Sequence, residues 1–246
     1  MALKTITNNL LDDTLLIVSA GNPYLALAKS QLLDLQRHTK GINGFLITPP
    51  EYIKPDQESI KNYYNDLLAL VDESRFTIIY EVPSRTGVEM IGETCISIMR
   101  NDKVIGIKFA SDNTETFNYI IANKKEGSLV FCGDDLKLDS MVLGGDGFIG
   151  GAQAIISVVG NALAEELTNH MELILEGNRG EFFTKYYTEY LHYLLYLYGN
   201  PKGIITLCFI LLDIYKLPSA GPTLGISKQK FIDDMIAVVE EWKDYD

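Results

Sequence analysis

The sequence predicts an α/β fold, a parallel sheet or (β/α) barrel, and three observations carry that reading. Short apolar runs alternate with helical spacing six times in succession, and no hairpin signal falls between them. The runs are continuously apolar rather than alternating, as strands buried on both faces are. After Gly151 the alternation stops and only helical spacing follows.

The elements come in order. Residues 14–18 (TLLIV) read as a buried strand ending in the turn Ser19-Ala20-Gly21-Asn22. Residues 23–40 carry Leu25, Ala28, Leu32, Leu33 and Leu35 at helical spacing, with Pro23 suited to a helix start. The strand Phe45-Leu46-Ile47 ends in Thr48-Pro49-Pro50, and Ile60, Tyr63, Tyr64, Leu67 and Leu68 form the apolar face of a helix over 56–71. The same reading gives strands at 76–80, 104–107, 129–132 and 147–150, and helices at 89–100, 113–124 and 136–143. Helices are expected at 152–175, 182–198, 204–215 and 227–242. The simplest division is a barrel portion over 1–151 and C-terminal helices over 152–246, packed together as one domain.

Composition narrows the function classes. A length of 246 residues, 47% hydrophobic, suits one sizeable core. The formal net charge of −12 argues against nucleic acid and anionic membrane surfaces as partners. An anionic substrate would need a local cation to hold it. The cysteines, Cys95, Cys132 and Cys208, are odd in number and fit no zinc spacing, so buried free thiols in a reducing compartment are expected. No signal peptide stands out, and the apolar stretch 204–214 is too short to span a bilayer. A cytoplasmic protein is the expectation.

In a parallel barrel the functional groups gather at the C-terminal ends of strands. Lys108 directly follows the run Val104-Ile105-Gly106-Ile107. A lysine there either loses solvation, which lowers its pKa and frees the amine to attack a carbonyl, or snorkels to the rim and pairs with a carboxylate. Position alone leaves both open.

Four motifs bear on the choice. Tyr80-Glu81-Val82-Pro83-Ser84-Arg85-Thr86-Gly87 is similar to YNVPSRTG of dihydrodipicolinate synthases, and Gly106-Ile107-Lys108-Phe109-Ala110-Ser111 to their GIKEAS. Cys132-Gly133-Asp134-Asp135 resembles their SGDD, and Leu143-Gly144-Gly145-Asp146-Gly147-Phe148-Ile149 their LGG.GVI. Order and spacing agree for all four. Looser likenesses, from the GxN turn at Gly21-Asn22 to Asn200-Pro201 and Lys216-Leu217-Pro218, extend the resemblance over residues 15–222. The chain therefore resembles the dihydrodipicolinate synthase and N-acetylneuraminate lyase family of class I aldolases.

The resemblance implies a TIM (β/α) barrel in which strands three to eight are recognisable, with the family's first two strands and its GTTGE motif not found in this sequence. It implies an imine between Lys108 and pyruvate, whose iminium acts as the electron sink, with no metal or other cofactor. Tyr80 would be the proton shuttle and Arg85 the anchor for a carboxylate on the aldehyde, a task its guanidinium fork suits. Gly133 and Ile149 would supply backbone contacts around pyruvate, Gly147 would permit close backbone approach, Thr48 would line the site from the loop after the second run, and either Tyr52 or Glu51 in that loop would replace the tyrosine that the family contributes across its dimer interface. The implied partners are pyruvate, a small aldehyde, nearest to aspartate semialdehyde, and further copies of the chain in a homo-oligomer. A catalytically impaired homologue with a binding or assembly role, or a related 2-keto acid aldolase, is the alternative. Phe109 stands where the family usually has glutamate. The family's SVTAN corresponds either to residues 150–154, in register, or to the later Ile156-Ser157-Val158-Val159-Gly160-Asn161, which reads closer to the motif.

Overall fold

A computed structural model describes residues 14–38 and 40–156. Among them six parallel strands lie side by side in chain order: β1 (Leu16–Ala20), β2 (Ile42–Ile47), β3 (Phe76–Glu81), β4 (Val104–Phe109), β5 (Leu129–Cys132) and β6 (Ala154–Ile155). Between them run α1 (Leu25–His38), α2 (Gln57–Leu68), the one-turn α3 (Pro83–Thr86), α4 (Gly92–Met99), α5 (Thr114–Asn123) and α6 (Leu138–Leu143), the last entered through a 3-10 turn at Asp135–Lys137. Sequential parallel pairing with helical crossovers is the (β/α) barrel arrangement, and the expected fold class stands. The helices expected beyond residue 156 lie outside the described residues.

Local chemistry sets the helix starts. Asp56 caps α2 by accepting the Ser59 amide at 2.7 Å, which holds the Asp56 carboxyl below its ordinary pKa. Asn113 caps α5 by accepting the Thr116 amide at 2.9 Å. The apolar face expected of α2, Ile60, Tyr63, Tyr64, Leu67 and Leu68, is buried.

The two faces of the sheet differ. Period-two alternation and the pairing register place Ile47, Ile79, Ile107 and Val130 in one row and Phe109 beside Cys132 on the same side, all fully buried. They form the core with Leu67, Leu68, Cys95, Ile98, Phe117 and Ile120 of the helices. The other face carries Leu46, Tyr80 and Lys108, each half-buried. This second face is where the motif residues converge.

One strand departs from the sequence reading. Residues 147–150 are not a strand: Gly145 and Phe148 exchange backbone hydrogen bonds of 3.0 and 2.8 Å in a tight turn, and Gly145, Asp146, Gly147 and Gly150 all have positive φ. Extended pairing cannot run through such a backbone. The sixth strand forms later, at Ala154–Ile155, so the barrel portion continues past residue 151, and residues 152–156 are not the helix start expected there.

Candidate functional site at the ends of β3, β4 and β5

Lys108 is the penultimate residue of β4 and pairs in register with Tyr80 of β3 on one side and Phe131 of β5 on the other. Residues in register share a face, so the lysine and the tyrosine stand next to each other by construction. The Lys108 Nζ lies 4.2 Å from the centroid of the Tyr80 ring. The ring face gives a cation a favourable seat while leaving the amine at the strand ends.

The lysine stem has a matching gap on β5's side. A methyl group on Gly133 would sit 2.9 Å from both Cγ and Cε of Lys108, closer than carbon atoms tolerate. The Gly133 amide donates to Phe109 O at 2.8 Å, which fixes the backbone over which the lysine passes. Glycine at 133 is therefore required for this course of the Lys108 side chain. Three of the sequence-predicted residues, Lys108, Tyr80 and Gly133, are brought together.

Arg85 projects from α3, the turn that follows β3, and is exposed. Pro83 opens the turn, and Gly87 closes it in the left-handed region at φ 68°, its amide on Pro83 O at 2.9 Å. Thr86 is buried and ties both sides of the turn, its hydroxyl donating to Val82 O or Val88 O and accepting from the Val88 amide. Tyr52, in the loop after β2, donates its amide to Thr86 O at 2.9 Å. Its side chain is 89% exposed and its φ is +69°, so it reaches outward from the site. Thr48 is half-buried directly after β2, with its hydroxyl 3.3 Å from where a side chain on Gly21 would begin.

The structure does not gather the remaining two. Ile149 lies in the loop before β6, 58% exposed, with its amide donating to the Asn118 side chain on α5. Gly147 uses its positive φ, +89°, in the same turn, packed against Thr114. The position beside β5 that was expected for residue 149 is occupied by Ile156, whose amide donates to Cys132 O at 2.9 Å.

Two supporting residues were overlooked in the sequence. Glu81 is fully buried beneath the Arg85 turn: Oε1 accepts the Met90 amide at 3.2 Å, and Oε2 has no hydrogen-bond partner among the described residues. Burial pushes its carboxyl up to about 8, with the charge of Glu89 adding to the shift. Gln57, at the start of α2, donates to Glu89 O at 2.8 Å and accepts from the Ile91 amide at 3.1 Å. The signal for Glu81 was available: alternation from Tyr80 puts a carboxylate on the core side.

Among the described residues no cluster of His, Cys, Asp and Glu is built to hold a metal ion, and no helix is long and apolar enough to cross a membrane.

Comparison with known proteins identifies the family. The model of the dihydrodipicolinate synthetase family matches residues 2–198. The chain belongs to that family. The 4-hydroxy-tetrahydrodipicolinate synthase of Porphyromonas gingivalis is 33% identical over 196 residues, covering 79% of this chain and 63% of the relative. That of Parabacteroides distasonis is 38% identical over 169 residues, covering 67% and 53%. The chain thus spans between about half and two thirds of the length of these relatives. The fold is shared with the dihydrodipicolinate synthase structures from Aquifex aeolicus (TM-score 0.76, 23% identity, 98% of this chain and 78% of that one) and from Acinetobacter baumannii, the latter complexed with pyruvate (TM-score 0.76, 21% identity, 98% and 79%).

Proposed function

We propose that this family member is a pyruvate-dependent class I aldolase, acting as a 4-hydroxy-tetrahydrodipicolinate synthase that joins pyruvate to aspartate semialdehyde. The observation that carries the reading is the Lys108–Tyr80 pair, an amine at the end of a barrel strand held over a tyrosine ring with a glycine opened for its stem. In the proposed sequence the Lys108 amine attacks the C2 carbonyl of pyruvate, and water leaves to give an iminium. A C3 proton is lost, the C3 carbon of the resulting enamine forms the new bond to the aldehyde carbon, and the aldehyde oxygen is protonated; the semialdehyde's amino group then attacks the imine carbon and expels the Lys108 amine, which closes the ring and frees the enzyme. Tyr80, beside the amine, is positioned to relay the protons, and Arg85 to hold the aldehyde's carboxylate. Gly133 supplies backbone against pyruvate, Thr48 contributes from the end of β2, and the backbone contact first assigned to Ile149 passes to Ile156, which pairs beside β5. The proposed setting is cytoplasmic, within a homo-oligomer.

Borohydride reduction in the presence of pyruvate, followed by peptide mass spectrometry, tests this. The expected outcome is a reduced pyruvate adduct on Lys108 that disappears in Lys108→Ala. Absence of any adduct at millimolar pyruvate would overturn the imine reading. An adduct without turnover of aspartate semialdehyde would keep the nucleophile and reject the full synthase cycle.

A further inference from the structure

The segment that carries Arg85 returns to the barrel at residues 88–91, where Asn113 holds the Glu89 side chain and Gln57 and Glu81 tie the backbone to α2 and β3. Gln57 does so from α2 with a neutral amide. Glu81 does so from β3, and its circumstances are unusual. It follows Tyr80 in the strand, so its backbone is part of the site: its carbonyl accepts the Ala110 amide at 2.8 Å. Its side chain points the other way, into the core, at 0% exposure. One oxygen holds Met90, and the other has no partner among the described residues. Among the described residues, the titratable groups that act on it or that it acts on are Tyr64 from α2, Cys95 from α4 and Glu89 from the returning segment, none of them a cation. A charged carboxylate in that setting is opposed by desolvation and by Glu89, while a neutral acid is tolerated.

We propose that Glu81 is a proton-dependent latch, a positioning residue that holds the Arg85 turn against β3 while its carboxyl is neutral. The consequence for substrate rests on the reading of Arg85 as a carboxylate anchor; the latch itself does not.

The sign follows from proton linkage. Opening the latch exposes the carboxyl to water, where it ionises near its ordinary value of 4.5, against about 8 when closed. Opening therefore releases a proton between those values, and closure weakens as pH rises through the window, then levels off above 8.

Hydrogen exchange read by mass spectrometry on the full chain tests this. Protection is corrected for the intrinsic pH dependence of exchange. In the wild type, protection of peptides covering 82–91 should fall at least tenfold between about pH 5.5 and 7.5, against a limit of about tenfold per unit, with no such slope over α1. Glu81→Gln should keep protection and remove the slope. Gln57→Ala should lower protection while leaving the slope. A flat wild-type profile over 82–91, or the same slope in Glu81→Gln, overturns the latch. Should Glu81→Gln fail to fold, the wild-type profile with Gln57→Ala still decides. Succinate semialdehyde, an aldehyde with one carboxylate, separates the two ideas: its affinity should fall about tenfold in Arg85→Ala. If it does not while the slope is present, the Arg85 reading fails and the latch stands.

Discussion

The strand ends at β3–β4 and the stretch from α6 to β6 both carry family motifs, yet the structure treats them differently. At β3–β4 the motif residues lie within or directly after the strands, so the pairing register alone sets Tyr80 beside Lys108. At 143–149 the motif is glycine-rich backbone, and its residues fold into a turn that leads to the strand. Ile149 thus matches by letter and misses by place. A side-chain motif on a strand carries its own geometry, whereas a glycine motif specifies only where the backbone is free to turn.

The difference can be tested by changing glycines and their neighbours in each region. Gly106 sits in mid-strand, where a methyl group would lie 2.2 Å from the Leu129 carbonyl oxygen. Backbone on a paired strand cannot yield, so Gly106→Ala should destabilise the fold by about 3 kcal/mol and reduce the Lys108–pyruvate adduct along with it. Chemical denaturation read by far-UV circular dichroism measures the first and reductive trapping the second. A cost below about 1 kcal/mol would mean that β4 and β5 can separate more readily than their register implies.

In the turn region the anchor is Phe148. It is 7% exposed and packs edge-on to Phe117 at 5.0 Å, which packs edge-on to Phe109 at 5.4 Å. The aromatic row runs from the residue after Lys108 to the glycine turn. Phe109, noted in the sequence only as a departure from the family's glutamate, makes sense as its inner end. Phe148→Ala should cost about 2–3 kcal/mol, at the lower end for an aromatic truncation because the site lies near the surface. Hydrogen exchange should show the loss concentrated in residues 144–156, with β3 and β4 retaining protection. Equal loss over β3 would show that the two regions unfold as one unit.

Much of this was legible in the sequence, for a physical reason. Continuous apolar runs such as Phe76–Tyr80 and Leu129–Cys132 fall where the strands are, because burial on both faces demands such runs. Lys108, Tyr80 and Gly133 converge as their strand-end positions require. The late strand was not legible from Ala154–Ile155, two residues held in the sheet by tertiary pairing: Gln153 donates its amide to Val130 O and accepts the Val130 amide on its side chain, both at 2.9 Å. Glu81 went unremarked because it lies inside a motif whose neighbours carry the chemistry. Alternation from Tyr80 places it on the core face, and the helices packed there bury it.

Asn118 offers the smallest of these perturbations and the finest test of the comparison. Its side chain donates to Gly147 O and accepts from the Ile149 amide, each at 2.9 Å, so one amide group holds both ends of the misplaced motif residues to α5. These bonds are exposed and neutral, so Asn118→Ala should cost about 1 kcal/mol. Asn118→Asp keeps the acceptor for Ile149 and loses the donor to Gly147, and should recover about half of that. Because β6 is joined to β5 by its own backbone hydrogen bonds, neither change should alter pyruvate trapping at Lys108. A loss of trapping in Asn118→Ala would mean that the glycine turn, and Ile149 with it, reports directly on the imine site. The family motif would then have been right about function where the strand pairing places Ile156.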